Sequence, residues 1–440
     1  MTFRSSGGGL RAYALLWAGQ GVGALGLGLT AFAQGLWLWE QTHSVTATSL
    51  VSLATTLPAF VVAPWVGALV DRWQSRLQLV LALGDAARLL LALLTLTLLH
   101  AGTLSPALLY ALLAVEAVFT AFHWPAASAA ARALLRPDEY TRGSGVQMLA
   151  LSASTVLAAP LAAALYPRAG LSGIVMVDVL GSVLALTSVL CLRLPTPTVS
   201  TASGPLWGSV WSSLRRALRF ITGHRPLLTL QLVLSGGYFV QAAYAALLTP
   251  LVLSHAGGGS HLAVVSAVGG GAALLGGALL SVWRGWSRHT PVFVGGWTLV
   301  FLGVLGTGLS AHPAVWAAGA AMVALGIAAF GTANQAIWLR QTPVDIQGTV
   351  FALRRMLGMA AMPVAAALAG PVVDGLLAPR VNLPVLGAGP VGAIRLVLVV
   401  LGVLGLVTLA LVVRSGRLRG AEGHPAQPAP ARPADLPRRA

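Results

Sequence analysis

Apolar runs of about 20 residues or more follow one another along nearly the whole chain, with short gaps between them. Such a run, as a helix rising 1.5 Å per residue, matches the roughly 30 Å of hydrocarbon in a bilayer. Only helices or closed barrels satisfy their backbone groups there, so the pattern dictates a polytopic all-α membrane protein. Of 440 residues, 57% are hydrophobic and 9% charged. Soluble domains carry about a quarter charged, and this chain lacks the polar residues to cover a water-facing surface. Twelve transmembrane helices are predicted, at 12–39, 45–70, 77–99, 106–130, 144–166, 171–192, 227–254, 261–283, 291–310, 313–339, 348–375 and 391–413.

Charge gives the orientation. The net charge of +16 comes from 27 basic residues, all arginine. They sit between the apolar runs, as a cytoplasmic-loop bias requires, so the basicity does not indicate nucleic acid. With both termini cytoplasmic, 23 of the 27 arginines fall in cytoplasmic segments. Arg168, Arg380 and Arg395 fall on the other side, and Arg88 lies within a span. The absence of lysine excludes a Walker A phosphate loop and Schiff-base chemistry. The single cysteine, Cys191, permits no internal disulfide and is read as an apolar helix residue. No catalytic motif or metal-ligand spacing is found, so a membrane-embedded enzyme is a remote alternative. The basic start leads into an apolar run long enough to span, and that first span is expected to be retained.

Residues 1–192 and 226–415 are each expected to form a six-helix bundle, the two pseudo-symmetric. The sequence GALVDRW at 67–73 is echoed by GALLSVW at 277–283, each at the end of the second span of its half. Duplicated halves are a common plan of secondary transporters. The linker 193–225 carries a helix-like segment with Trp207, Trp211, Leu214, Leu218 and Ile221 on one face, predicted to lie at the membrane interface. The Pro/Ala/Arg-rich tail within 416–440 is expected to be disordered.

The stretch GALVDRWQSR resembles the major facilitator signature between the second and third helices, carried here by Gly67, Asp71, Arg72 and Arg76. The resemblance implies a conformational switch at this motif, away from the substrate. Further stretches, among them AFHWPAASAAARALL and NQAIWLRQTPVDIQGTVFALRRM, resemble proton-driven exporters such as macrolide-efflux and enterobactin-exporter permeases. The fourth span lacks the arginine many drug antiporters carry there, and the fifth reads AAPLAAAL in place of a glycine-proline motif.

Asp85, Arg88, Glu116 and Asp178 lie well inside spans. A lone charge in hydrocarbon costs roughly 3 kcal/mol or more, so each needs a cavity or a partner. Asp85 and Arg88, three apart on one helix, are expected to neutralise each other. Asp178 has no evident local partner. Glu116 is the candidate for proton coupling: at 100° per residue Thr120 and His123 share its polar stripe. Its alternative is a permanent structural bond, and His123 serves equally as relay or packed ring. Substrate-cavity candidates are Gln20 and Gln34 in the first span, Tyr238 and Gln241 in the seventh, and Asn334 and Gln335 in the tenth. The expected activity is proton-coupled efflux of a hydrophobic drug, siderophore or peptidic metabolite by alternating access. The alternative is an importer running proton symport. No cofactor or ATP is expected, the partners are lipid and a small-molecule substrate, and the protein is expected to be a monomer of the inner membrane.

Overall fold

The computed structural model describes residues 9–73, 76–136, 139–192, 206–255, 258–282, 288–343, 346–383 and 386–418. Helices account for nearly all of them: α1 Gly9–Thr42, α2 Val45–Arg72, α3 Leu77–His100, α4 Pro106–Leu134, α5 Tyr140–Cys191, α6 Leu206–Gly223, α7 Arg225–Leu253, α8 Gly258–Val282, α9 Thr290–Leu309, α10 Pro313–Gln341, α11 Gln347–Met359, α12 Ala361–Pro371 and α13 Gly389–Arg414. A π-helical stretch, Val372–Leu377, extends α12, and a two-residue hairpin, β1 Asn382–Leu383 with β2 Gly387–Ala388, precedes α13. Start signals are local. Ser105 accepts from the Leu108 amide and is followed by Pro106; His312 accepts from the Ala314 amide and is followed by Pro313.

Among the described residues, eleven helical segments are long and apolar enough to cross a membrane. One of them, 43 residues at Leu149–Cys191, would be about 65 Å long if straight, twice the hydrocarbon thickness. It does not run straight. Gly170 breaks it with φ 61°, ψ −171°, three residues after Pro167. The two arms then lie antiparallel along α1. Ala150 and Ala158 of the first arm face Gly21 and Gly28, in rising order, while Ser188, Ala185 and Asp178 of the second face Gly19, Gly23 and Gly26, in falling order. The run therefore supplies two passes, and the twelve passes predicted are accounted for. Large side chains such as Leu90, Leu180, Leu275 and Leu404 point outward, more than half exposed; an apolar belt of this extent is a lipid-facing surface.

α1 packs along both arms of α5, α3 packs on α4 and α5, and α2 on α4. Later in the chain α10 packs on α8 and α9, and α13 on α9 and α7. The two sets meet where α2 packs on α12 and where α5 packs on α8. The α2–α12 contact is tight, because a Cβ on Gly370 would lie 2.3 Å from Thr46 Cα. Beyond it Asp374 binds the start of α2: Ser44 Oγ donates to its Oδ2 at 2.9 Å and the Thr46 amide at 2.7 Å. A carboxylate on a helix N-terminus is worth about 1–2 kcal/mol in a partly buried setting. Asp374→Ala is expected to loosen this end of the molecule. Spin labels at Gln41 and Leu376, both exposed, on a Cys191→Ser background should report a longer distance distribution in the variant. Identical distributions would show that the contact closes nothing.

Two expectations are corrected. The linker segment is helical, as α6; Leu214 and Ile221 of the expected face pack on the core together with Ala217 and Phe220, while Leu218 is 45% exposed. The 3.6-residue repeat places Leu218 one position past the buried stripe. The side chains of Trp207 and Trp211 lie outside the described residues. Leu418, assigned to the tail, is buried against the core; the rest of that tail, from 419, lies outside the described residues. Arg395, which lies within the predicted last span, is buried at the foot of α13. It donates to the carbonyls of Gly308, Leu309 and Leu386 at 2.7–3.0 Å, and so caps the C-terminus of α9.

Candidate polar cluster within the helices

The first set of helices holds a polar cluster built on Arg88. Its guanidinium lies 3.5 Å from Asp178 Oδ1 and 3.9 Å from Glu116 Oε1, and Nη2 donates to the Gly23 carbonyl at 2.9 Å. Glycine geometry makes this possible. Cβ atoms added at Gly23 and Gly26 would lie 3.0 Å from Ala185 Cβ and 2.8 Å from Asp178 Cα. Small residues let the backbones of α1 and α5 approach, which brings Asp178 to Arg88.

The expected Asp85–Arg88 pair is not what forms. Arg88 turns to Glu116 and Asp178 on two other helices, and Asp85 Oδ2 instead accepts from Gln20 Nε2 at 2.7 Å. The physical reason is multiplicity: two carboxylates and a carbonyl offer the guanidinium fork more acceptors than one neighbour on its own helix. Asp178 thus has a partner after all, and Thr30 and Ser182 flank it. Gln20 Oε1 also receives a hydrogen bond from His123 Nε2 at 2.7 Å, so one amide joins α1, α3 and α4. The His123 ring packs edge-on against Trp17. It is a packed ring and a hydrogen-bonded one at once.

Two chambers flank Arg88. One, of about 170 Å³, is lined by Trp17, Gln20, Asp85, Phe119, Thr120 and His123 among others. The other, about 20 Å³, is lined by Thr30, Gln34, Glu116 and Asp178 with apolar neighbours, and has room for about one water. Arg88 lines both. The single stripe Glu116–Thr120–His123 is accordingly split, with Glu116 on one side of Arg88 and the other two on the far side.

Comparison with known proteins places this architecture. The sequence model of the Major Facilitator Superfamily matches residues 16–366, most of the chain. The chain belongs to the Major Facilitator Superfamily. Macrolide efflux protein A of Streptococcus pyogenes is 24% identical over 376 residues, covering 84% of this chain and 89% of that protein. The protein of the same name from Enterococcus faecalis is 23% identical over 322 residues, 71% and 97% respectively. A solved POT family transporter in complex with 5-aminolevulinic acid matches with TM-score 0.67 at 11% identity, over 92% of this chain and 96% of its own. A bacterial homologue of the human lysosomal transporter Spinster, inward-facing and unoccupied, matches with TM-score 0.65 at 15% identity, over 95% and 98%. These structures share the fold. The chain is thus a multi-pass major facilitator transporter, a family of carriers and not of enzymes.

The facilitator signature is only partly visible. α2 runs through Asp71 and Arg72, but the side chains of Gly67, Asp71 and Arg72 lie outside the described residues; Arg76 is exposed at the N-cap of α3. Of the cavity candidates, Gln20 and Gln34 line the two chambers. The later four do not. Tyr238 packs edge-on against Trp297 and Phe330, and Gln335 is exposed and accepts from Arg354 Nη2. Asn334 Oδ1 and Gln241 Oε1 are buried without a hydrogen-bond donor. The Arg88–Glu116 contact went unread in the sequence although a signal was present. Arg88 lies twelve residues before the end of α3 and Glu116 ten after the start of α4, so the turn sets them at one depth.

Proposed function

We propose that this facilitator is a proton-coupled exporter of a hydrophobic, amphipathic compound, with Glu116 as the proton-carrying group. One observation carries the reading. Within apolar helices, Asp85, Glu116 and Asp178 surround a single guanidinium, Arg88. One cation neutralises one carboxylate, and a second buried anion without a partner costs several kcal/mol. Such a cluster binds a proton in one state and yields it in another. Protonation of Glu116 frees Arg88 to pair with Asp178 alone; deprotonation draws it back between the two. Coupling follows when the two protonation forms favour opposite faces of the membrane.

The macrolide efflux relatives support export, and a large amphipathic drug over a siderophore. The arginine asymmetry supports cytoplasmic termini and an inner-membrane location in bacteria. Two six-helix halves, 1–192 and 226–415, joined by the α6 linker, would rock about the cluster, with α2 and α12 closing the outer side. No ATP or bound cofactor is needed, and a monomer suffices.

The test uses proteoliposomes and a radiolabelled macrolide. Inverted protein should accumulate the drug when the lumen is acid. Glu116→Gln is expected to keep exchange at equilibrium and lose gradient-driven accumulation by at least about tenfold, since the amide keeps a hydrogen-bonding site and carries no exchangeable charge. Full accumulation by the variant would rule Glu116 out as the coupling group.

A further inference from the structure

The linker helix α6 carries a surface that the transport cycle leaves unused. Its place is fixed. The second arm of α5 ends beside the start of α1, and α6 stops one residue short of α7, so its last turns stand at the level where α7 enters the membrane. His224, the residue between them, pins the corner: its ring lies 4.6 Å from that of Phe220, and its Nδ1 donates to the Phe220 carbonyl at 2.7 Å. α6 packs on α7 and α11, and its covered side is Ala217, Phe220 and Ile221 with Leu214 against them. The uncovered side has two stripes. Leu218 is exposed; Trp211 and Trp207, seven and eleven positions earlier in sequence, occupy helix positions within about 20° of it. Arg215 and Arg219, both exposed, follow at about 60° and 100° round the helix, away from the covered side. The stretch 206–225 contains no acidic residue, and among the described residues no carboxylate pairs with Arg215 or Arg219.

We infer that this outer face of α6 docks on the leaflet at which α1 begins, with the stripe 207–211–218 at the acyl boundary and Arg215 and Arg219 on the phosphates of anionic phospholipid. The inference is independent of the export reading. The order of the stripes carries it: a side covered by protein, then an apolar stripe, then an arginine stripe, which is the order of materials met at the rim of a membrane protein. Tryptophan and leucine suit the boundary between headgroups and acyl chains, and arginine beside them suits the headgroups. A soluble acidic partner would answer the arginines and leave the apolar stripe in water. Charge selects the lipid, because an arginine near an anionic surface favours binding by about fivefold and a zwitterionic leaflet offers no net charge. Since α6 packs on α7 and α11, a docked α6 ties those two helices to the leaflet.

A bimane fluorophore on Leu218→Cys, in the Cys191→Ser background, tests this in the full-length protein reconstituted into phosphatidylcholine vesicles. A trace of phosphatidylglycerol bearing a nitroxide high on its acyl chain should quench the fluorophore at least about fivefold more strongly than the same amount of identically labelled phosphatidylcholine, the enrichment expected from one arginine at an anionic surface. Arg215→Gln together with Arg219→Gln should make the two lipids equal, and both side chains are exposed, so the variant should fold. Salt at about 1 M, where the Debye length is about 3 Å, should have the same effect on the unaltered arginines. Quenching by neither lipid means that the face is off the leaflet, which is also the outcome if its partner is a soluble protein. Equal quenching by both lipids, or a preference that survives the double arginine variant, means that Arg215 and Arg219 do not recognise the headgroup. Each of these results overturns the inference. None of them bears on Glu116, whose role is read in gradient-driven transport.

Discussion

Replacing Arg88 with glutamine is expected to destabilise the protein by about 3–5 kcal/mol, the cost of removing one member of a buried charge network. Glu116 and Asp178, with side chains 19% and 6% exposed, would lose the cation that faces both, and the Gly23 carbonyl would lose its donor. Thermal unfolding in detergent, followed by the loss of monodisperse protein, should show a transition lowered by many degrees. The loss should be conditional on the acids. The triple variant Arg88→Gln, Glu116→Gln, Asp178→Asn leaves no uncompensated charge of this set, and should recover most of the stability while transporting nothing against a gradient. An Arg88→Gln variant as stable as wild type would mean that the three groups do not form one network.

The second large effect lies in α1. Gly26→Val should destabilise by about 1–3 kcal/mol, as overpacking of a tight contact does, and should abolish transport. The new Cβ would sit 2.8 Å from Asp178 Cα, which is backbone and cannot rotate away. The second arm of α5 must retreat, taking Asp178 from Arg88. Gly84→Ala is the control, because nothing lies within 4 Å of its added methyl. The pair should separate clearly in unfolding temperature. Equal behaviour would show that the α1–α5 approach is looser than described.

Much of the site could be read in advance, and the failures share one cause. Asp85, Arg88, Glu116 and Asp178 stood out because charge in an apolar run is expensive wherever it occurs. Which of them pair was misjudged, because helical spacing sees only neighbours on one helix. Asp85 and Arg88 are three apart in sequence, but Arg88 finds its acceptors on α4 and α5. The amide candidates divided in the same way. Gln20 and Gln34 line chambers, whereas Tyr238 is consumed in aromatic packing that spacing along α7 could not reveal.

What the amino-acid sequence by itself determined is the solvent and the number of passes. Apolar length against bilayer thickness is a one-dimensional quantity, and so is the bias of arginine toward alternate connections. Even the fold-back at Gly170 falls between two predicted spans. The tertiary structure alone decided that Arg88 divides two chambers, that Gly23 and Gly26 bring Asp178 to it, and that Asp374 holds the start of α2. Those facts depend on helix rotation and on approach distances of a few ångströms between segments up to 330 residues apart. Hydropathy carries no record of either, since an apolar helix can meet lipid or another helix at nearly equal cost.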